Sequence, residues 1–231
     1  MKTIGIIGGM SWESTTTYYK LINQEVNQQL GGLHSARCII YSVDFDEIEK
    51  YQSSGDWEKA GAILSDAAQS LERAGASFLV MATNTMHKVI ETMEKAVSIP
   101  ILHIADATAK EIRKVGINHV ALLGTKYTME QDFYKGRLFD QGLQVTVPNL
   151  DERNRINDII FKELVQGEIK ESSKAFYLKV INHLRSEGVG AVILGCTEIG
   201  LLISQQDLEI PVFDTTDIHA KAAVNEALMS S

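Results

Sequence analysis

Cysteine is scarce in this chain, two residues in 231, and Cys38 and Cys196 fall in different halves, so a disulfide framework is not expected and there is room for a reactive thiol. A basic block is also missing. With 22 basic and 30 acidic residues the net charge is −8, which argues against nucleic acid or an anionic membrane as a partner. No apolar run is long enough to span a bilayer, and Met1-Lys2-Thr3 leads directly into a strand signal; no signal peptide is expected, and the cytoplasm is the expected compartment. His34, His119 and His183 have no acidic or thiol partners at metal-ligand spacing, and no P-loop or Ser-His-Asp pattern occurs, so neither metal nor cofactor is expected.

What the chain does have is enough apolar material, 45% of residues, for one large core or two of roughly 110 residues each. It also repeats itself. Val80 to His87 and Val192 to Ile199 are both short apolar runs ending in a small residue that carries a hydroxyl or thiol, Thr83 or Cys196, followed by hydrogen-bonding side chains. Upstream, Gly8-Gly9 is matched by Gly124-Thr125; downstream, Ile99-Pro100 is matched by Ile210-Pro211. Three landmarks in one order at a near-constant offset of roughly 110 to 116 residues point to duplicated halves, with the Thr83 and Cys196 tips expected to face one another.

Strand signals fall near residues 4–8, 38–43, 78–83, 101–104, 119–124, 144–147, 191–195 and 212–214. Helical periodicity fills 58–74, 126–141, 151–165 and 170–187, and Gly75, Gly116, Gly142 and Gly188 stand where helix C-caps belong. The alternation predicts an α/β fold: two pseudo-symmetric three-layer αβα domains, each with a four-stranded parallel sheet. Without a linker to mark the boundary, the first domain is drawn as 1–98 plus 212–231, carrying Thr83, and the second as 99–211, carrying Cys196.

Ligands of parallel sheets bind beyond the carboxyl ends of the strands, and here those ends are polar. Gly5-x-x-Gly8-Gly9 lacks the G-x-G-x-x-G spacing of a dinucleotide site, even with Asp44 after the second strand; a tight turn onto a helix capped by Ser11 or Ser14 explains it better. Backbone amides at Gly9 and Met10 still offer a place for a small carboxylate. A cysteine ending an apolar strand is ordinarily a small buried hydrophobe. Cys196, however, follows Gly195 and precedes Thr197 and Glu198 at what is expected to be a helix N-terminus, where thiolate is favoured. Trp12 and the Thr15-Thr16-Thr17 tract lie beside the glycine turn with packing as the favoured role for the tryptophan, Cys38 reads as core, and Leu201 to Ile203 as core or interface.

Gly195-Cys196-Thr197-Glu198, Asn84-Thr85-x-His87 and Gly8-Gly9-Met10 together resemble the cofactor-independent aspartate/glutamate racemase family, with a similar layout over nearly the whole chain. The resemblance implies a homodimer binding a small amino acid or dicarboxylate, with one cysteine at each of two strand tips on opposite sides of a substrate carbon. It also implies that Asn84, Thr85, Thr125 and Thr197, with nearby amides, hold carboxylate oxygens; His87 and Glu198, just beyond the two tips, are expected from their position to relay or tune protons. Two departures stand out. The family's first motif reads Cys-Asn-Thr, where this chain has Thr83-Asn84-Thr85, and the cations implied for an acidic side chain are replaced by Glu49 and Val165, leaving Lys126, Lys162 or Arg137 as substitutes.

Abstracting an α-proton without pyridoxal phosphate needs a base on one face of the carbon and an acid on the other. A thiol with a reference pKa of about 8.5 serves as either, whereas a threonine hydroxyl does not readily ionise. The expected reaction is racemisation of aspartate or glutamate at an asymmetric site, with Cys196 as base and Thr83 as donor, relay or wall. A single-cysteine decarboxylase or cis-trans isomerase of small dicarboxylic acids is the alternative, as is a weakened ligand-binding homologue.

Overall fold

The computed structural model describes residues 1–229 and divides into two units, Met1–Ile104 with the residues from His219 onward, and Ala105–Ile218. The first unit runs β1 (Ile4–Gly8), α1 (Trp12–Leu30), β2 (Cys38–Ser42), α2 (Phe45–Ser54), α3 (Trp57–Arg73), β3 (Phe78–Met81), α4 (Ile90–Glu94) and β4 (Ile101–Leu102). Its strands are all parallel in the order β2-β1-β3-β4. Because strand side chains alternate between faces, the apolar runs divide cleanly. Ile4, Ile6, Phe78 and Val80 meet Tyr18, Ile22 and Val26 of α1, which recur at helical spacing. Ile7, Leu79 and Met81 meet Ala60, Leu64, Ala67, Ala68 and Leu71 of α3. Each buried aliphatic side chain contributes about 1.5–3 kcal/mol.

The chain continues through α5 (Ile104–Lys114), β5 (His119–Gly124), α6 (Lys126–Glu130), α7 (Asp132–Asp140), β6 (Gln144–Thr146), α8 (Leu150–Lys162), α9 (Glu171–Ser186), β7 (Ala191–Gly195), β8 (Val212–Asp214) and α10 (Thr215–Leu228). The second sheet is again parallel, in the order β6-β5-β7-β8. Ala121, Leu123, Val192, Leu194 and Cys196 pack under Ile156, Ile159 and Ile160 of α8 and Tyr177, Val180, Ile181 and Leu184 of α9. A capping box joins Asn149 and Glu152 at the start of α8. Among the described residues no helix is long and apolar enough to cross a membrane.

The two crossings between units lie later than the expected boundaries at 98/99 and 211/212. Pairing decides both: β4 hydrogen-bonds to β3 through Leu79–Ile101 and Val80–Leu102, and β8 to β7 through Val192–Val212. The last strand therefore stays with the second sheet, and the chain returns to the first unit within α10, whose Ala220, Ala223, Val224 and Ala227 join the core around Ile4 and Ile6. The helical stretch 126–141 is two helices, because Gln131 between them is extended, at φ −92° and ψ 154°. Strands β3 and β4 stop at Met81 and Leu102, so Thr83 and His103 project beyond the sheet.

Candidate active site

In the first unit Gly9 adopts φ +96°, and a Cβ there would lie 2.2 Å from the Val43 carbonyl oxygen, so only glycine fits the turn. The turn is braced from inside. Thr15 Oγ1 accepts from the Gly9 amide and donates to the Ser11 carbonyl, both at 2.8 Å. Ser11 caps α1 by accepting from the Ser14 amide at 3.2 Å, and Ser14 Oγ donates to the Ala82 carbonyl at 2.8 Å, tying the helix to the end of β3. The Gly9 amide, expected to meet a carboxylate, is thus spent on Thr15; Met10 is buried beside it. Thr16 and Thr17 bond back to the Trp12 and Glu13 carbonyls, and Trp12 is 68% exposed instead of packing on the helix.

Beyond β3, Thr83 is half-buried and its hydroxyl makes no hydrogen bond among the described residues, while Asn84 and Thr85 are buried as the chain enters the 3-10 turn Thr85–Val89. His87 is buried and engaged at both nitrogens. Its Nδ1 lies 2.8 Å from the Thr83 carbonyl, and Nε2 accepts from the Ile104 amide at 3.3 Å. A backbone amide only donates, so Nε2 carries no proton and the ring is neutral, with Nδ1–H holding the Thr83 carbonyl. That geometry suits His87, expected to relay or tune protons, to holding the Thr83 backbone in place. Two further histidines stand beside it: ring centroids lie 4.6 Å away at His103 and 5.9 Å away at His219. His219 donates from Nε2 to the Leu102 carbonyl at 2.9 Å and accepts from the Tyr18 hydroxyl at 2.9 Å. Burial pulls its pKa down to about 4. No spacing rule links His219 to His87 or His103, and only the return of α10 assembles the three.

In the second unit Gly124 pairs with Gly195, and a Cβ on Gly124 would come within 2.8 Å of the Gly195 carbonyl oxygen. This close approach brings Thr125 and Cys196 out of adjacent strands at one level. Thr125 caps α6 by accepting from the Thr128 amide at 3.3 Å, and the Lys126 amide donates to Asn157 Oδ1 at 2.9 Å. Cys196 is 8% exposed, and its Sγ–H donates to Glu198 Oε2 at 3.0 Å. Thr197 between them is half-buried.

Burial raises the Cys196 pKa well above the usual thiol range, and the charge of Glu198 and its hydrogen bond add to the effect, with Asp214 contributing further. Asp214 at the tip of β8 is itself raised by burial, although it accepts from the Thr216 amide at 2.9 Å. The buried Tyr177 phenol is likewise raised, by burial first and then by Cys196. The expected thiolate is therefore a thiol at rest. Burial is the first reason and the carboxylates of Glu198 and Asp214 add to it, while Thr197–Leu201 is a short 3-10 turn and not the start of a long helix. A thiol bonded to a carboxylate can hand its proton across without changing the net charge of the pair. Asp214 and Tyr177 are the neighbours that sequence reasoning left without a role. Asp214 was visible as a strand tip, whereas nothing in the sequence marked Tyr177.

The structure thus gathers Gly9, Met10, Thr83, Asn84, Thr85 and His87 at the carboxyl edge of one sheet, and Thr125, Lys126, Cys196, Thr197 and Glu198 at the carboxyl edge of the other. Among the described residues no three His, Cys, Asp or Glu side chains stand where they could hold a metal. The family model for Asp/Glu/Hydantoin racemase matches residues 7–223. The chain belongs to that family. This places it among the racemases, a class of isomerases. A crystal structure from Yersinia pestis assigned to the Asp/Glu racemases is similar at 55% identity and TM-score 0.94, covering 99% of this chain and 100% of that one. An aspartate racemase homologue from Pyrococcus horikoshii OT3 is 42% identical with TM-score 0.87, again over 99% and 100% of the two chains. The broad specificity amino-acid racemase RacX of Bacillus subtilis (strain 168) is 26% identical over 97% of this chain and 98% of its own length.

Proposed function

We propose that this protein is a PLP-independent racemase of aspartate, glutamate or both, working at the α-carbon through an asymmetric Thr83/Cys196 pair. The observation that carries the reading is the buried Sγ–H···Oε2 contact of 3.0 Å between Cys196 and Glu198. Glu198 takes the thiol proton, the thiolate takes the α-proton of substrate, and the low-polarity surroundings that raise the thiol pKa make the thiolate, once formed, a strong base. Thr83 serves the other face: its hydroxyl gives a proton to the carbanion while taking one from water, because an alkoxide is too costly to persist, and the hydroxide left behind is neutralised by the proton that Glu198 gives up to solvent, which restores the thiol–carboxylate pair. His87 holds the Thr83 backbone for this step through the 2.8 Å bond to its carbonyl. Family membership and the aspartate racemase of Picrophilus torridus, 26% identical with TM-score 0.77, support the substrate class. A homodimer in the cytoplasm belongs to the same reading, and a sizing measurement checks the dimer.

Proton NMR in heavy water tests the activity. L- and D-aspartate and glutamate are each followed for loss of α-hydrogen and change of handedness, and Cys196→Ser is expected to abolish both. Absence of exchange in the parent protein sinks the proposal. The single thiol favours one second reading, decarboxylation or cis-trans isomerisation of a small dicarboxylic acid, which would consume such acids while leaving amino-acid α-hydrogens in place.

A further inference from the structure

The second unit contains a cavity of about 250 Å³ lined by Lys126, Tyr127, Glu130, Gln131 and Asn157. Of the three cations weighed for an acidic substrate arm, the structure pairs two: Arg137 with Asp106, and the exposed Lys162 with Asp158 at 3.0 Å. Lys126 enters no ion pair among the described residues. The one carboxylate on the cavity wall, Glu130, is already matched by Arg153 Nε at 3.0 Å, and the same guanidinium donates to the Pro148 carbonyl at 2.6 Å. The local balance is one uncompensated positive charge. Asn157 adds donors: its Oδ1 is committed to the Lys126 amide, so its NH₂ group is left over.

Placement matters as much as charge. Lys126 follows Thr125 off the tip of β5, and Cys196 leaves the tip of β7, with Gly124 and Gly195 in register, neighbouring strands being about 4.8 Å apart. The volume falls below the roughly 300–1,000 Å³ of sites for drug-sized ligands. A single cation beside a carboxylate suits a monoanion better than a phosphate dianion.

We propose that this cavity receives the side-chain carboxylate of the substrate, with the Lys126 ammonium as counter-charge and the Asn157 amide as second donor. The assignment rests on the racemase reading and names the group that holds the acidic arm of the substrate. Lys126 is then a specificity-determining residue.

The test compares the parent protein, Lys126→Met and Lys126→Arg in α-deuterium exchange on aspartate and glutamate against asparagine and glutamine. Removing one charged hydrogen-bonding partner is expected to lower kcat/KM for the acids by about ten- to a hundredfold, chiefly through KM, with the amides changed by less than about threefold and the arginine variant intermediate. Acids and amides falling together, or acids unaffected, would overturn the assignment. A parent that exchanges amides as fast as acids also overturns it and leaves the racemase reading standing. If the parent exchanges no amino acid, the racemase reading fails, and calorimetric titration with glutarate judges the cavity separately: binding lost in Lys126→Met sustains a carboxylate site, while absent or unchanged binding removes it.

Discussion

Replacing Glu198 with glutamine keeps the shape of the side chain and removes the group proposed to receive the Cys196 proton. Two effects then oppose one another. The amide has no basic oxygen to accept the proton outright, so the internal route to thiolate closes; loss of a positioned general base ordinarily costs 10²–10⁴ in rate, or about 2.7–5.5 kcal/mol of barrier at 1.36 kcal/mol per decade. At the same time burial still raises the thiol pKa but the added effect of the Glu198 charge is gone, so the Glu198→Gln thiol ionises into bulk water at lower pH than in the parent. Which effect wins depends on pH. In the parent, proton transfer within the pair leaves its charge unchanged, so kcat/KM for exchange is expected to be flat across neutral pH. In the variant, kcat/KM starts low and climbs about tenfold per pH unit until the thiol has titrated. Initial rates of α-deuterium exchange from pH 6 to 10, with thiolate absorbance followed in parallel, read both effects. A variant with parental rates and a parental pH profile, or a thiol that titrates no lower than in the parent, would refute the proton hand-off.

Thr83→Cys supplies an ionisable group at the other strand tip and is expected to raise racemisation relative to one-sided α-exchange by tenfold or more. Since free enantiomers have equal energy, kcat/KM stays equal in the two directions and the gain appears in both; chiral chromatography of products follows it, and no gain would mean that another group serves that face. His219 makes stability pH-dependent. Its folded pKa of about 4 lies below the unfolded value of 6.5, so the unfolded chain binds the extra proton, and about 3 kcal/mol of stability present at pH 7 is lost as pH falls from 6.5 through 4. Urea unfolding at pH 7 and pH 4.5 should give a steeper loss for the parent than for His219→Asn, and parallel losses would contradict the assignment.

The strand tips were legible in the amino-acid order because their signals are local. A strand buried on both faces reads as a continuous apolar run, so Ile4–Gly8, His119–Gly124 and Ala191–Gly195 could be bounded to the residue. Gly75, Gly116, Gly142 and Gly188 all take positive φ where they end helices, as their position after helical periodicity predicted. The duplication was legible for the same reason, since equivalent strands carry equivalent tips. Proton states and charge balance were another matter. Whether Cys196 rests as thiol or thiolate depends on burial under α8 and α9 and on Asp214 as well as on its neighbour Glu198. The neutral His87 ring needs the Ile104 amide, the cluster beside it needs a helix that returns from the far end of the chain, and the spare charge of Lys126 exists only because Arg153 has reached Glu130. Periodicity is a property of residues adjacent in sequence. Electrostatic environment sums over every group the fold brings close, and only the tertiary structure decides which groups those are.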